Sequence, residues 1–242
     1  MKKIIFALMA LVVLISCNKE DHGDANLHIT GNIKGLKQGK LYIQKVVDTS
    51  LVVLDTIVFN GKSTFESHIK IAEPEMLFLF LDRGQTNSVD NNLPFFAEPG
   101  NMKIESSNEE FFLRAKITGS KNQKIYEDFL KIKSRFSNQN LELVAKNLEA
   151  TKNSNKKQLD SISEKFDQLI KRRYLYTANF ALNNAKHEVG PYIALTEIQD
   201  INTKYLDTIQ KSMSPAIAKS LYGKILTKYV ADRKKAETAE VK

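Results

Sequence analysis

The sequence predicts an α+β protein: an N-terminal antiparallel β-sandwich or open barrel of about eight strands, followed by a helical C-terminal region. Three observations predict it. From Leu27 to about Thr118 apolar and polar residues alternate with a period of two, the repeat of a half-buried strand. Gly, Asn and Pro fall between these short runs, the spacing of an all-β sandwich or barrel. After Thr118-Gly119 the apolar residues instead recur every three or four positions, the repeat of an amphipathic helix.

The strands follow in order. Leu27 to Ile33 alternates, and Lys40 to Val46 follows a turn over Gly35 to Gly39. Leu51 to Phe59 is rich in β-branched residues, and Lys62 to Ile69 resumes the alternation. Asn60-Gly61 between these two predicts a hairpin, because both residues tolerate the positive φ of a tight type I′ turn. Met76 to Leu81 is wholly apolar, which predicts a strand buried on both faces. Leu93 to Ala97, Met102 to Glu105 and Phe111 to Ile117 complete the set.

In the helical region Ile125, Phe129, Ile132 and Phe136 step by four, three and four, and Leu141, Val144 and Leu148 extend the stripe. Leu159, Ile162, Phe166 and Leu169 carry it on to Tyr176 and Phe180. Asn153-Ser154-Asn155 divides the two long segments and can cap the second. This stripe is expected to pack within the chain, since Arg173 interrupts it and clean heptads are few. Gly190-Pro191 is expected to end the second helix. Pro191 to Gln199, Asn202 to Lys211 and Ser214 to Arg233 read as further helices, the last opened by Ser214 as N-cap with Pro215 in the first turn. The tail from Lys234 is charged and expected to fray.

The formal charge of +8 is spread along the chain. The short basic runs, such as Lys171-Arg172-Arg173, lack the interleaved aromatics of a nucleic-acid surface and read as solvated helix faces. No nucleic-acid partner is expected. The four histidines, His22, His28, His68 and His187, are far apart in sequence and show no metal-ligand spacing. Gly35 to Lys40 is one residue short of a phosphate loop and has Leu41 where Ser or Thr would hold Mg²⁺. Asp82, Asp90, Asn91 and Asn92 lack the spacing of a calcium loop. No catalytic residue, metal site or cofactor is expected, and an enzyme is not the favoured reading.

The N-terminus carries more information. Met1-Lys2-Lys3 is basic, Ile4 to Ile15 is apolar and too short to span a bilayer, and Ser16 precedes Cys17, the chain's one cysteine. Leu14-Ile15-Ser16-Cys17 resembles the bacterial lipobox, at which a signal peptidase cuts and the thiol is acylated. The resemblance implies a signal peptide over residues 1–16 and a palmitate-type lipid on Cys17, with the membrane as partner through that anchor. Residues 17–26 then form a lipidated flexible tether, 27–119 the β-rich domain, 120–235 the helical region and 236–242 the charged tail. The residue after Cys17 is Asn18 rather than Asp, so outer-membrane localisation is expected. Lys19, Glu20 and Asp21 resemble a surface-export signal of Bacteroidetes-type lipoproteins. The protein is thus expected to face the periplasm or the cell surface.

Four stretches in order carry a wider resemblance. They are Ile29 to Ile33, Gly39 to Ile43, Asp55 to Lys62 and Phe95 to Ile104, followed by Ile117-Thr118-Gly119-Ser120 and a helix with Tyr126 and Phe129. Together they resemble the N-terminal domain of unknown function, with its helical region, of Bacteroidetes-type thioredoxin-like thiol:disulfide interchange lipoproteins. This chain has no Cys-x-x-Cys, so that family's redox chemistry transfers to no residue here. The expected function is that of an envelope-anchored lipoprotein acting as a non-enzymatic binding or scaffold module for an unknown protein or ligand. An accessory subunit of a separate thioredoxin-like protein is the alternative, and an unrecognised hydrolase the second.

Overall fold

The computed structural model describes residues 23–84 and 88–240. Its eight strands, β1 (Leu27–Lys34), β2 (Gln38–Val47), β3 (Ser50–Asn60), β4 (Thr64–Ile69), β5 (Glu75–Asp82), β6 (Asn92–Ala97), β7 (Gly100–Ser107) and β8 (Lys116–Thr118), form two four-stranded sheets. One has the order β4-β1-β7-β8 and the other β3-β2-β5-β6. They pack face to face and do not close into a barrel. Every pairing is antiparallel except β1 with β7, which run parallel from Leu27 beside Gly100 to Lys34 beside Ser107.

Alternation places the core between the sheets. Leu27, Ile29 and Ile33 of β1 meet Leu41 and Ile43 of β2, Leu77, Leu79 and Leu81 of β5, and Phe95 of β6. Their outward neighbours His28, Thr30 and Asn32 are polar and half-buried or exposed. The apolar run of β5 is covered on both sides, as its composition predicts. Leu77, Leu79 and Leu81 face the sandwich, whereas Met76 and Phe78 face the helices. In β6, Phe95 points into the sandwich and its neighbour Phe96 into the helical layer.

Six helices follow: α1 (Lys121–Lys152), α2 (Lys156–Asn183), α3 (Val189–Glu197), α4 (Thr203–Ser212), α5 (Pro215–Ala218) and α6 (Leu221–Glu240). Side chains set their starts. Ser120, Asn155, Asn202 and Ser214 each accept a hydrogen bond from a backbone N–H in the first turn of α1, α2, α4 and α5, satisfying donors that a helix leaves open. α1 and α2 form a long antiparallel hairpin. α3, α4 and α6 pack with its base against β5 and β6.

Several details differ from the sequence reading. Asn60-Gly61 has the expected positive φ at Gly61, +85°, yet it joins no hairpin. β3 and β4 lie in different sheets, and the chain crosses between them with Gly61 N–H donating to the Lys37 carbonyl at 2.8 Å. The tight hairpin is β2–β3, where Val47 faces Ser50 across Asp48-Thr49. Phe111 to Arg114 is a turn, because both Asp90 oxygens accept from the Phe111 and Phe112 N–H groups at 2.9 Å and fold it back. Burial pushes the Asp90 carboxyl up, but these bonds and Arg83 outweigh it and hold it below the ordinary range. Gly190-Pro191 lies in the first turn of α3, where Pro is tolerated; α2 has already ended at Asn183. Residues from Lys234 remain helical to Glu240, fastened where Lys234 pairs with Asp207 at 2.5 Å and Glu237 accepts from Thr203. Leu141 and Leu148 are each 65% exposed. Leu143 and Ala150, not they, lie on the better buried face of α1.

Candidate functional site

Cys17, Lys19, Glu20 and Asp21 lie outside the described residues, as does His22. The described chain begins at the end where β1, β5 and β7 start. There Asn26 accepts from the Ile71 N–H at 2.9 Å and donates to the Ile71 carbonyl at 2.8 Å. Asp24 pairs with Lys70. The last residues of the expected tether are therefore fastened to the sandwich.

The β2–β3 ribbon projects from the same end. β2 pairs with β5 only from Lys40 to Gln44, and beyond that the ribbon continues alone to its tip. Lys45, the first residue past the sheet, lies 3.8 Å from Glu75, four residues after the Ile71 clamp. Val46, Val47, Leu51, Val52 and Val53 are all exposed. Val46 stands opposite Leu51, while Lys45 stands opposite Val52, so both faces of the ribbon carry apolar side chains. β3 is also an edge strand: its outer row of backbone groups has no partner strand among the described residues.

Burial pushes the Glu75 carboxyl up; Lys45 opposes this and Glu73 reinforces it. A carboxyl whose folded-state pKa is raised contributes stability below its unfolded pKa and loses it as pH rises through the folded value. Glu75→Gln should therefore melt above wild type at pH 8, with the gap closing at pH 4. An equal gap at both pH values would show that Lys45 pairing cancels burial, and a variant melting below wild type at pH 8 would show that it outweighs burial.

The junction of sheet and helices is a polar and aromatic network. Asn122, 1% exposed, donates through Nδ2 to Glu98 at 2.7 Å and Glu188 at 3.1 Å, and its Oδ1 accepts from the Val189 N–H at 3.0 Å. Gln123 Oε1 accepts from the Phe96 N–H at 2.7 Å, and the Tyr222 hydroxyl accepts from the Met76 N–H at 2.8 Å. Phe96, Tyr126, Tyr192 and Tyr222 meet edge to face, with centroids 5.0–5.9 Å apart. Burial raises all three phenols, Tyr222 to about 12. Such tyrosines act as hydrogen-bond partners and apolar bodies, not as bases at neutral pH, so the network reads as structural.

The histidines are not all apart. His28 on β1 and His68 on β4 stand directly opposite each other, with Nδ1 atoms 2.7 Å apart and ring centroids 5.0 Å apart. Their separation of 40 positions hides this in the sequence. Both occupy outward positions of alternating strands, but only the pairing and register of β1 with β4 reveal that they meet. Among the described residues no group of three or more His, Cys, Asp or Glu side chains is placed to hold a metal ion.

Two facing sheets with a helical layer against one of them define an α+β protein with a β-sandwich core. Residues 27–126 match the family model of a domain of unknown function, DUF4369, so the N-terminal part of the chain carries that domain. No curated protein and no solved structure matches the chain. No helix among the described residues is long and apolar enough to cross a membrane.

Proposed function

We propose that the protein is a lipid-anchored, non-enzymatic binding module of the bacterial outer membrane, held through Cys17, and that the β2–β3 ribbon receives an extended segment of a protein partner. The ribbon carries the reading. Its exposed apolar side chains lie on both faces, and the edge of β3 offers backbone donors and acceptors that no strand pairs with among the described residues. A polypeptide strand can satisfy such an edge by adding to the sheet. Acyl chains cannot, because they supply no hydrogen bonds to backbone groups. An accessory subunit of a thioredoxin-like protein is one form this module would take, supported by the sequence resemblance.

Both parts are open to test. Cys17→Ala should shift the protein from the detergent phase to the aqueous phase. Unchanged partitioning would remove the anchor from the reading. A photo-crosslinker at Val58 should trap a partner in intact cells, and Val52→Lys with Val53→Lys should abolish the adduct, since charges on an edge strand block strand addition. An adduct that survives both lysines would show that the ribbon is not the binding surface.

A further inference from the structure

We propose that His28 and His68 form a binding site for a divalent transition-metal ion, copper, nickel or zinc, held between β1 and β4. The proposal goes beyond the anchored-module reading and does not depend on it.

The two nitrogens already converge. Nδ1 of His28 lies 2.7 Å from Nδ1 of His68. Two identical ring nitrogens bond only when one carries the proton and the other offers its lone pair. A metal ion replaces that proton, which moves to Nε2 of the same ring, so both rings stay neutral and both Nδ1 lone pairs point at the ion. With metal–nitrogen bonds of about 2.0–2.1 Å, the nitrogens would stand about 2.9 Å apart at a right angle and about 3.3 Å apart at a tetrahedral angle. The observed spacing is within a few tenths of an ångström of the first, but the 5.0 Å between centroids sets the rings nearly end to end, so each ring must turn by about 45° to aim its lone pair at a shared ion. Imidazole suits copper, nickel and zinc, with copper bound most tightly.

The backbone under the site is rigid. His28 lies between Leu27 and Ile29, which are fully buried, and His68 between Ser67 and Ile69, also buried. Ser67 is tied further by its hydroxyl bond to Asp55 at 2.5 Å. The rings themselves are half-buried. With these two ligands among the described residues, the site would hold an ion that staples β1 to β4.

The test uses the full chain in detergent, stripped with a chelator and titrated with Zn²⁺ by calorimetry. One ion should bind per chain. His28→Gln and His68→Gln should each weaken binding at least about tenfold, as loss of one of two ligands requires, while His22→Gln and His187→Gln should leave it unchanged. Saturating Zn²⁺ should raise the melting temperature of wild type and of neither His28→Gln nor His68→Gln, because an ion that binds only the folded state stabilises it. Copper-loaded His22→Gln protein should show hyperfine coupling to two equatorial imidazole nitrogens, a readout that stands even if a glutamine variant misfolds. Absence of saturable binding, binding that survives both single substitutions, loss with His22→Gln alone, or coupling to fewer than two nitrogens would each overturn the proposal.

Discussion

Gly119→Ala is expected to destabilise the protein by about 4 kcal/mol or more, at the upper end of single-residue effects. Two costs combine. Gly119 has φ +99°, a conformation that L residues with a side chain adopt only under strain. A Cβ there would also lie 2.1 Å from the Asn101 carbonyl oxygen and 2.8 Å from the Met102 Cα. Both are backbone atoms of β7, which cannot swing aside without disturbing its pairing with β1. The melting temperature should fall by roughly 10 °C or more. Gly61→Ala is the control: φ is +85° there, but no atom lies within 4 Å of the added methyl, so only the conformational cost of about 1 kcal/mol remains. Equal losses at the two glycines would show that the close approach to β7 does not matter.

Phe96→Ala should cost about 3–5 kcal/mol, the range for emptying a buried aromatic site. Phe96 is fully buried and meets Tyr192 at 5.6 Å and Tyr222 at 5.9 Å. It therefore binds α3 and α6 to the sheet. The damage should be local. Amide exchange should accelerate across Val189–Glu197 and Leu221–Glu240 while β1, β2 and β7 keep their protection. Phe95→Ala removes the same ring from the opposite face, inside the sandwich, and should instead loosen both sheets. If the two variants gave the same exchange pattern, sheet and helices would share one core.

What the sequence made legible was local. Period two marks the strands because alternation follows from the pleat, and every run assigned to a strand became one except Phe111 to Ile117, of which only Lys116–Thr118 did. The apolar β5 revealed its two covered faces by lacking a polar one. What stayed hidden was long-range. Asn60-Gly61 correctly signals a positive φ, but whether the flanking strands pair depends on which sheet each joins. The true hairpin turns at Asp48-Thr49 without a glycine, so it carries no comparable signal. Leu141, Val144 and Leu148 fit a helical period, yet an exposed apolar stripe and a buried one look alike until the partner helix is placed. The His28–His68 pair was hidden for the same reason. Cys17, the residue with the strongest sequence signal, and the short Lys19-Glu20-Asp21 motif stand outside the described structure and rest on motif resemblance alone.

The segment matched by the family model ends at residue 126, the sixth residue of the 32-residue helix α1. The match thus ends short of the helices that complete the second core. A fragment cut at that point would keep both sheets but strip the cover from Met76, Phe78 and Phe96, and would leave α1 too short to hold itself. It would present an oily strip along β5 and β6 where the whole chain has a sealed seam. The helices after residue 126 are the cap that this chain lays over that strip.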